Sequence, residues 1–285
     1  MIRKAVDARS PQASGTACLV GSCLSIQVAA ALATNVFAGL GPVGTGALRF
    51  AGAACVLAVV VRPSLRGRSR ASWHAAFAFG AVMALMNFLL YAAIARIPLG
   101  TAVTLEFLGP TVVTLARARR RLDLLWAALA ACGVVLLAGG ITSGSAIGAL
   151  LALAAGAAWA GYLQLSRQVG VLTQGLDGLT LSVAAAAVLT APIGFVAAAS
   201  TSQPADIVIA LAIGIPGIVL PYSLELLALR RLPIKTVSTM LSLDPAIAAI
   251  VGCVALHESL NVRALVGILL VMTASAGAIS TSAES

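Results

Sequence analysis

Apolar runs long enough to cross a lipid bilayer follow one another along the whole chain, and they constrain this sequence more than any other feature. A helix needs about 20 mainly apolar residues to span a hydrocarbon core of roughly 30 Å. Such runs occur near residues 17–37, 43–61, 75–95, 99–116 and 124–140, then near 146–166, 178–198, 207–229, 234–255 and 264–281. The stretch from Leu124 to Ser166 carries no charged side chain and is too long for one crossing; Gly139-Gly140 and Ser143-Gly144-Ser145 divide it. A water-soluble fold is excluded, because 60% of the residues are hydrophobic and only 9% charged, against about 25% charged in soluble domains. Aromatics make up 5%, so the hydrophobicity comes from Ala, Leu, Val and Ile with 27 Gly, small residues that let membrane helices approach closely. The expected fold is all-α, with ten transmembrane helices.

A formal net charge of +9 would fit a nucleic-acid partner if the basic residues were clustered on a soluble face. Here they lie between the apolar runs and act as topology signals, so no nucleic-acid partner is expected. One alternating set of connections holds Arg3, Lys4, Arg9, Arg62, Arg66, Arg68, Arg70, Arg117, Arg119, Arg120, Arg121, Arg167, Arg230, Arg231 and Lys235. The opposite set holds only Arg96 and Arg263, while Arg49 falls inside the second run. Cytoplasmic loops retain Lys and Arg, so both termini are expected in the cytoplasm. The Arg117–Arg121 cluster is read as an anchor on acidic lipids, and His74 beside Trp73 as an interfacial residue. The N-terminal apolar run is longer than a signal-peptide core of roughly 7–15 residues, so cleavage after Ala31-Leu32-Ala33 is not expected.

The two halves echo each other. Arg96-Ile97-Pro98 through Leu108-Gly109-Pro110 aligns with Arg231-Leu232-Pro233 through Leu243-Asp244-Pro245 at a constant offset of 135 residues, with Thr101 and Thr104 falling on Thr236 and Thr239. Each copy spans five helices, an odd number, so the second enters the membrane in the opposite sense. The organisation expected is a cytoplasmic tail 1–15, a first repeat 16–140, a second, inverted repeat 141–281 and a short cytoplasmic tail 282–285. Inverted repeats place a substrate site near the midplane and permit alternating access.

Several strings then carry a family resemblance: Ser25-Ile26-Gln27, Ala47-Leu48-Arg49, Leu105-Glu106-Phe107 with Gly109-Pro110, Ala157-Ala158-Trp159-Ala160 and, most specific, Leu220-Pro221-Tyr222-Ser223-Leu224-Glu225. From about residue 20 to 277 the chain resembles the drug/metabolite transporter superfamily (EamA type) in its two-repeat, ten-helix form, and within it the threonine/homoserine exporter branch. The resemblance implies an inner-membrane efflux carrier of amino acids with no bound cofactor. Two departures stand out: Asp244-Pro245 where relatives read Glu-Pro, and His257-Glu258 where they read Gly-Glu.

An ionisable side chain at bilayer depth costs about 2.5–3.5 kcal/mol on insertion scales and marks a functional site by default. Arg49, Glu106, Glu225 and Asp244 qualify. Three carboxyls against one guanidinium require a proton or a bound cation for balance, the electrostatic condition of a proton-coupled or amine-binding site. Each proline in a helix removes the bond to the carbonyl four residues earlier, so Pro110 frees the carbonyl of Glu106, Pro221 that of Gly217, Pro245 that of Leu241 and Pro216 that of Ala212. Such carbonyls beside a carboxylate form one reading, an ammonium cradle; simple kinks are the other. Arg49 either holds a substrate carboxylate through its planar fork or locks to Glu106 or Glu225. Tyr222, Trp159, Gln27 and Asn87 line the path or fill the core.

The cysteines (Cys18, Cys23, Cys55, Cys132, Cys253) all lie in apolar runs without zinc spacing. His257-Glu258 lacks the second histidine of a zinc-protease helix, Asn261 standing in its place. No metal is therefore expected, and a capping or gating role at the end of the ninth run is assigned to the pair. No nucleophile elbow or diphosphate motif points to an enzyme. The competing readings are another substrate on the same scaffold, such as aromatic amino acids, purines or cationic drugs, and a passive channel. Monomer and homodimer both remain open. A reporter fused after Ser285 should be active in the cytoplasm and one placed at Ser143 active outside; the reverse result at either site overturns the ten-helix count.

Overall fold

The computed structural model describes residues 11–115, 121–138, 143–173, 175–201, 203–229 and 231–282. The tail arginines and lysine, Arg117, Arg119, Arg120, Arg230 and the Gly139-Gly140 divider lie outside these residues. The first repeat comprises α1 (Pro11–Thr34), α2 (Phe37–Val61), α3 (Arg70–Ile94), α4 (Leu99–Glu106), α5 (Leu108–Leu115) and α6 (Arg121–Ala138). The second comprises α7 (Ser143–Leu172), α8 (Asp177–Ser200), α9 (Pro204–Gly214), α10 (Leu220–Leu229), α11 (Ile234–Leu241), α12 (Asp244–Ala255) and α13 (Val262–Ser282), with a π turn, Ile215–Val219, joining α9 to α10. Among the described residues, seven helical segments are long and apolar enough to cross a membrane, and three shorter apolar ones, Leu99–Val113, Leu124–Leu137 and Thr239–Ala255, complete the ten expected.

Local chemistry explains where these helices start and stop. The Ser69 hydroxyl accepts the Ser72 N–H at 3.1 Å and caps α3. Pro98 and Pro233 introduce α4 and α11 with nearly identical backbones, φ −53°, ψ 143° and φ −58°, ψ 144°. Gly41, at φ 68°, turns the chain inside α2 just before Pro42, a conformation only glycine adopts without strain.

The 135-residue echo is a structural repeat. The fourth crossing breaks at Phe107 and the ninth at Ser242-Leu243, the same place in each copy. Packing follows the pseudo-twofold relation as well: α2 lies on α8 and α6 on α13, each helix against its own counterpart, the fourth crossing meets the ninth through α4 on α12, and α3 on α7 is mirrored by α10 on α1.

Close backbone approach makes these crossings. A methyl added at Gly109 would come within 1.9 Å of the Gly156 carbonyl oxygen, and one added at Gly133 within 2.8 Å of the Gly267 carbonyl oxygen. At the Arg96 end, Gly100 seats α4 on α12, where an added methyl would stand 2.7 Å from the Ala249 Cα. The pseudo-symmetric pair at the arginine-rich end, α5 and α11, makes no comparable contact among the described residues. The bundle is thus sealed at one end by helices that stay apart at the other.

Gly109→Val should destabilise the protein by about 1–3 kcal/mol or more, the usual cost of overpacking. Gly161→Ala, whose added methyl meets nothing nearer than 3.8 Å, should be tolerated. Thermal unfolding of both detergent-purified variants decides; equal midpoints would show that the Gly109–Gly156 crossing bears no weight.

Candidate functional site

Arg49 lies midway along α2, 4% exposed. Its Nη1 donates to the Tyr91 hydroxyl at 2.6 Å, and its Nη2 donates to the Asn87 amide oxygen. The Asn87 amide nitrogen is itself tied to the Met83 carbonyl at 2.9 Å, which orients the oxygen towards the guanidinium. The Tyr91 ring also lies under the guanidinium, 4.8 Å from centroid to Cζ, a cation–π contact. Asn87 and Tyr91 are four residues apart and share one face of α3. Among the described residues the Arg49 Nε–H has no acceptor. No carboxylate of the described residues lies within the 4.0 Å of an ion pair with Arg49, so the expected alternative in which Arg49 locks to Glu106 or Glu225 is not what the structure shows. The direct partners of Arg49 are neutral groups.

The three acids converge on the same region from both repeats. Glu106 is the last residue of α4 and buried, Glu225 lies on α10, and Asp244 opens α12. Glu106 feels the charges of Asp244 and Arg49, and Glu225 that of Asp244. Cys23 and Gln27, one turn apart on α1, face the Asp244 carboxyl. Tyr222 lies within reach of Arg49, Glu106 and Glu225, and its hydroxyl faces Tyr162 of α7. Trp159 stacks edge-on against Phe107 at the helix break, centroids 5.4 Å apart.

The prolines act less simply than an ammonium cradle requires. The Glu106 carbonyl freed by Pro110 lies against Gly156, where an added methyl would stand 2.4 Å away. The Ala212 carbonyl freed by Pro216 takes the Ile215 N–H. Around the π turn, the Ser25 hydroxyl donates to the Pro216 carbonyl at 2.6 Å and the Ser22 hydroxyl to the Pro221 carbonyl at 3.1 Å. Pro245 sits in the first turn of α12, where a proline costs no hydrogen bond.

Tyr91, Cys23 and Tyr162 belong to the site but not to the sequence-derived set. Each stands three or four residues from a member of it, namely Asn87, Gln27 and Trp159, and helical spacing was the available signal.

At the Arg96 end, both oxygens of Glu258 accept the Leu99 N–H at 3.0 Å. His257 bends the chain to bring them there with φ 54°. Burial pushes the Glu258 carboxyl above its usual range, and the Leu99 N–H holds it part of the way back. The second repeat thereby caps α4 of the first.

Two inverted five-helix repeats, and broken helices that bring Arg49, Glu106, Glu225 and Asp244 into one region, define a membrane transporter of the alternating-access class. The chain belongs to the EamA-like transporter family, whose sequence model matches residues 146–280. It is 34% identical over 276 residues to the threonine/homoserine exporter RhtA of Escherichia coli K12, covering 92% of this chain and 90% of that protein. Identity to the threonine/homoserine exporter RhtA of Salmonella typhimurium LT2 is 34% over 270 residues, covering 90% and 88%. A protein of known crystal structure, 19% identical, shares the fold with a TM-score of 0.63 over 95% of this chain and 99% of its own.

Glu258→Ala should lower stability by about 0.5–2 kcal/mol, the range for losing a helix N-cap, and Glu258→Gln, which keeps an acceptor, by much less. Thermal unfolding midpoints of the purified variants check this, and equal losses for both would assign the effect to charge.

Proposed function

We propose that this protein exports small hydroxylated amino acids of the threonine/homoserine type from the cytoplasm, across the inner membrane, in exchange for protons. The observation that carries the reading is the Arg49 Nε–H, a donor without an acceptor among the described residues, on a guanidinium that none of their carboxylates contacts directly. A buried, unmatched donor costs about 1–3 kcal/mol, more for a charged group, and a substrate carboxylate would relieve it. The names of the relatives point the same way.

The mechanism follows from charge. With the substrate carboxylate on Arg49, the carboxyls of Glu106, Glu225 and Asp244 still require positive charge, supplied by the substrate ammonium in one half-cycle and by protons in the other. Both ligands compete for one set of acids, so neither can cross without the other's exchange. Access alternates as α4 leaves α12 at the Arg96 end and α5 closes on α11 at the other. The positive charge of the α5–α6 and α10–α11 connections puts that second end in the cytoplasm, with both termini.

Overproduction should raise the tolerance of a bacterial host to excess homoserine or threonine and increase their excretion. Arg49→Lys, which keeps the charge but not the fork, should reduce export roughly 10- to 100-fold, the range for hydrogen bonds to a charged group. Glu106→Gln and Glu225→Gln should insert normally and lose proton-driven export. Unchanged tolerance and excretion across the standard amino acids, with the protein in the membrane, would move the reading to drugs or nucleobases.

A further inference from the structure

Two acceptors in the site have no donor. The Gln27 side chain is 2% exposed, and its Oε1 meets no hydrogen-bonding partner among the described residues. The Asp244 Oδ1 is likewise buried and unmatched. The Gln27 amide nitrogen is turned towards the Asp244 carboxyl, so the oxygen is left over. Both atoms belong to groups that touch each other, one on α1 of the first repeat and the other on α12 of the second.

We propose that Gln27 and Asp244 form the subsite for the α-ammonium group of the transported amino acid. This rests on the reading of the protein as an amino-acid exporter and goes further, by dividing the site into two ends. On one side the unmatched atom is a donor, Arg49 Nε; on the other the unmatched atoms are acceptors, Gln27 Oε1 and Asp244 Oδ1. A ligand that satisfies all three must accept at one end and donate at the other, as a zwitterion does. An ammonium offers three donors: two match the orphans, and the third faces the field of Glu225, which feels the charge of Asp244. A neutral hydroxyl in the same place would bring one donor for two acceptors and leave the acids unbalanced. Because the two halves of the subsite come from opposite repeats, binding the ammonium also ties α1 to α12 at the level where α12 begins.

The inference bears on specificity. A site built to receive donors rejects a ligand that lacks them strongly, because its own polar groups are then left bare. The test compares homoserine with 2,4-dihydroxybutanoate, which keeps the carboxylate and the terminal hydroxyl but replaces the ammonium with a hydroxyl. Equilibrium binding of each to the purified full-length protein should favour homoserine by about 100-fold or more in the wild type. Gln27→Leu and Asp244→Asn should each weaken homoserine binding about 10-fold or more, while binding of the deaminated analogue stays within about twofold, so that discrimination collapses. Asp244→Asn is isosteric and decides the matter if Gln27→Leu does not fold. Wild-type discrimination retained in the folded variants, or both ligands weakened equally, would overturn the subsite while leaving amino-acid export standing. A wild-type protein that binds neither ligand and exports no amino acid would overturn both.

Discussion

In hydrocarbon no water serves a free peptide group, so every place where a helix stops short must be sealed by neighbouring protein. This constraint organises the molecule. At the breaks, Phe107, Ser242 and Ile218 of the π turn Ile215–Val219 are buried, while Leu243 and Ile215 turn their side chains outward. Gly156 and Trp159 close over the first break, and the Ser22 and Ser25 hydroxyls serve carbonyls at the last. The buried ionisable side chains Arg49 and Glu106 lie in the interior near these interruptions. A polar site at depth and a broken helix thus share one requirement, which is shelter from lipid.

The crossings and the repeat were legible in the sequence because they depend on chain-local quantities. Apolar length decides what spans, and the Arg-x-Pro and Thr spacings carried the echo into the backbone, down to matching ψ angles at Pro98 and Pro233. Partnerships across helices were not legible. Which way Arg49 faces depends on how α2 is rotated against α3, and that rotation is set by long-range packing at positions such as Gly52 on the Leu211 backbone and Gly80 on the Ser182 carbonyl. The sequence leaves Arg49 either to a substrate carboxylate or to Glu106 or Glu225, and names neither of the groups that hold it, a tyrosine hydroxyl and an amide oxygen.

Neutral partners for Arg49 have a functional logic. An arginine paired with a glutamate would be a closed account electrically, and a substrate carboxylate would have to displace an equal charge to enter. Held by Tyr91 and Asn87, the guanidinium keeps its geometry while its charge remains available. The acids are separated from it and drawn from three helices, so the site holds a charge imbalance that incoming cations correct.

The close contact of Gly100 with Ala249 is not matched in the other half of the sequence. At the same offset the chain carries Lys235 for Gly100 and Thr114 for Ala249. Only the Arg96 end therefore has a glycine whose missing side chain lets α4 and α12 meet backbone to backbone, so the twofold relation between the repeats is one of path and not of side-chain volume.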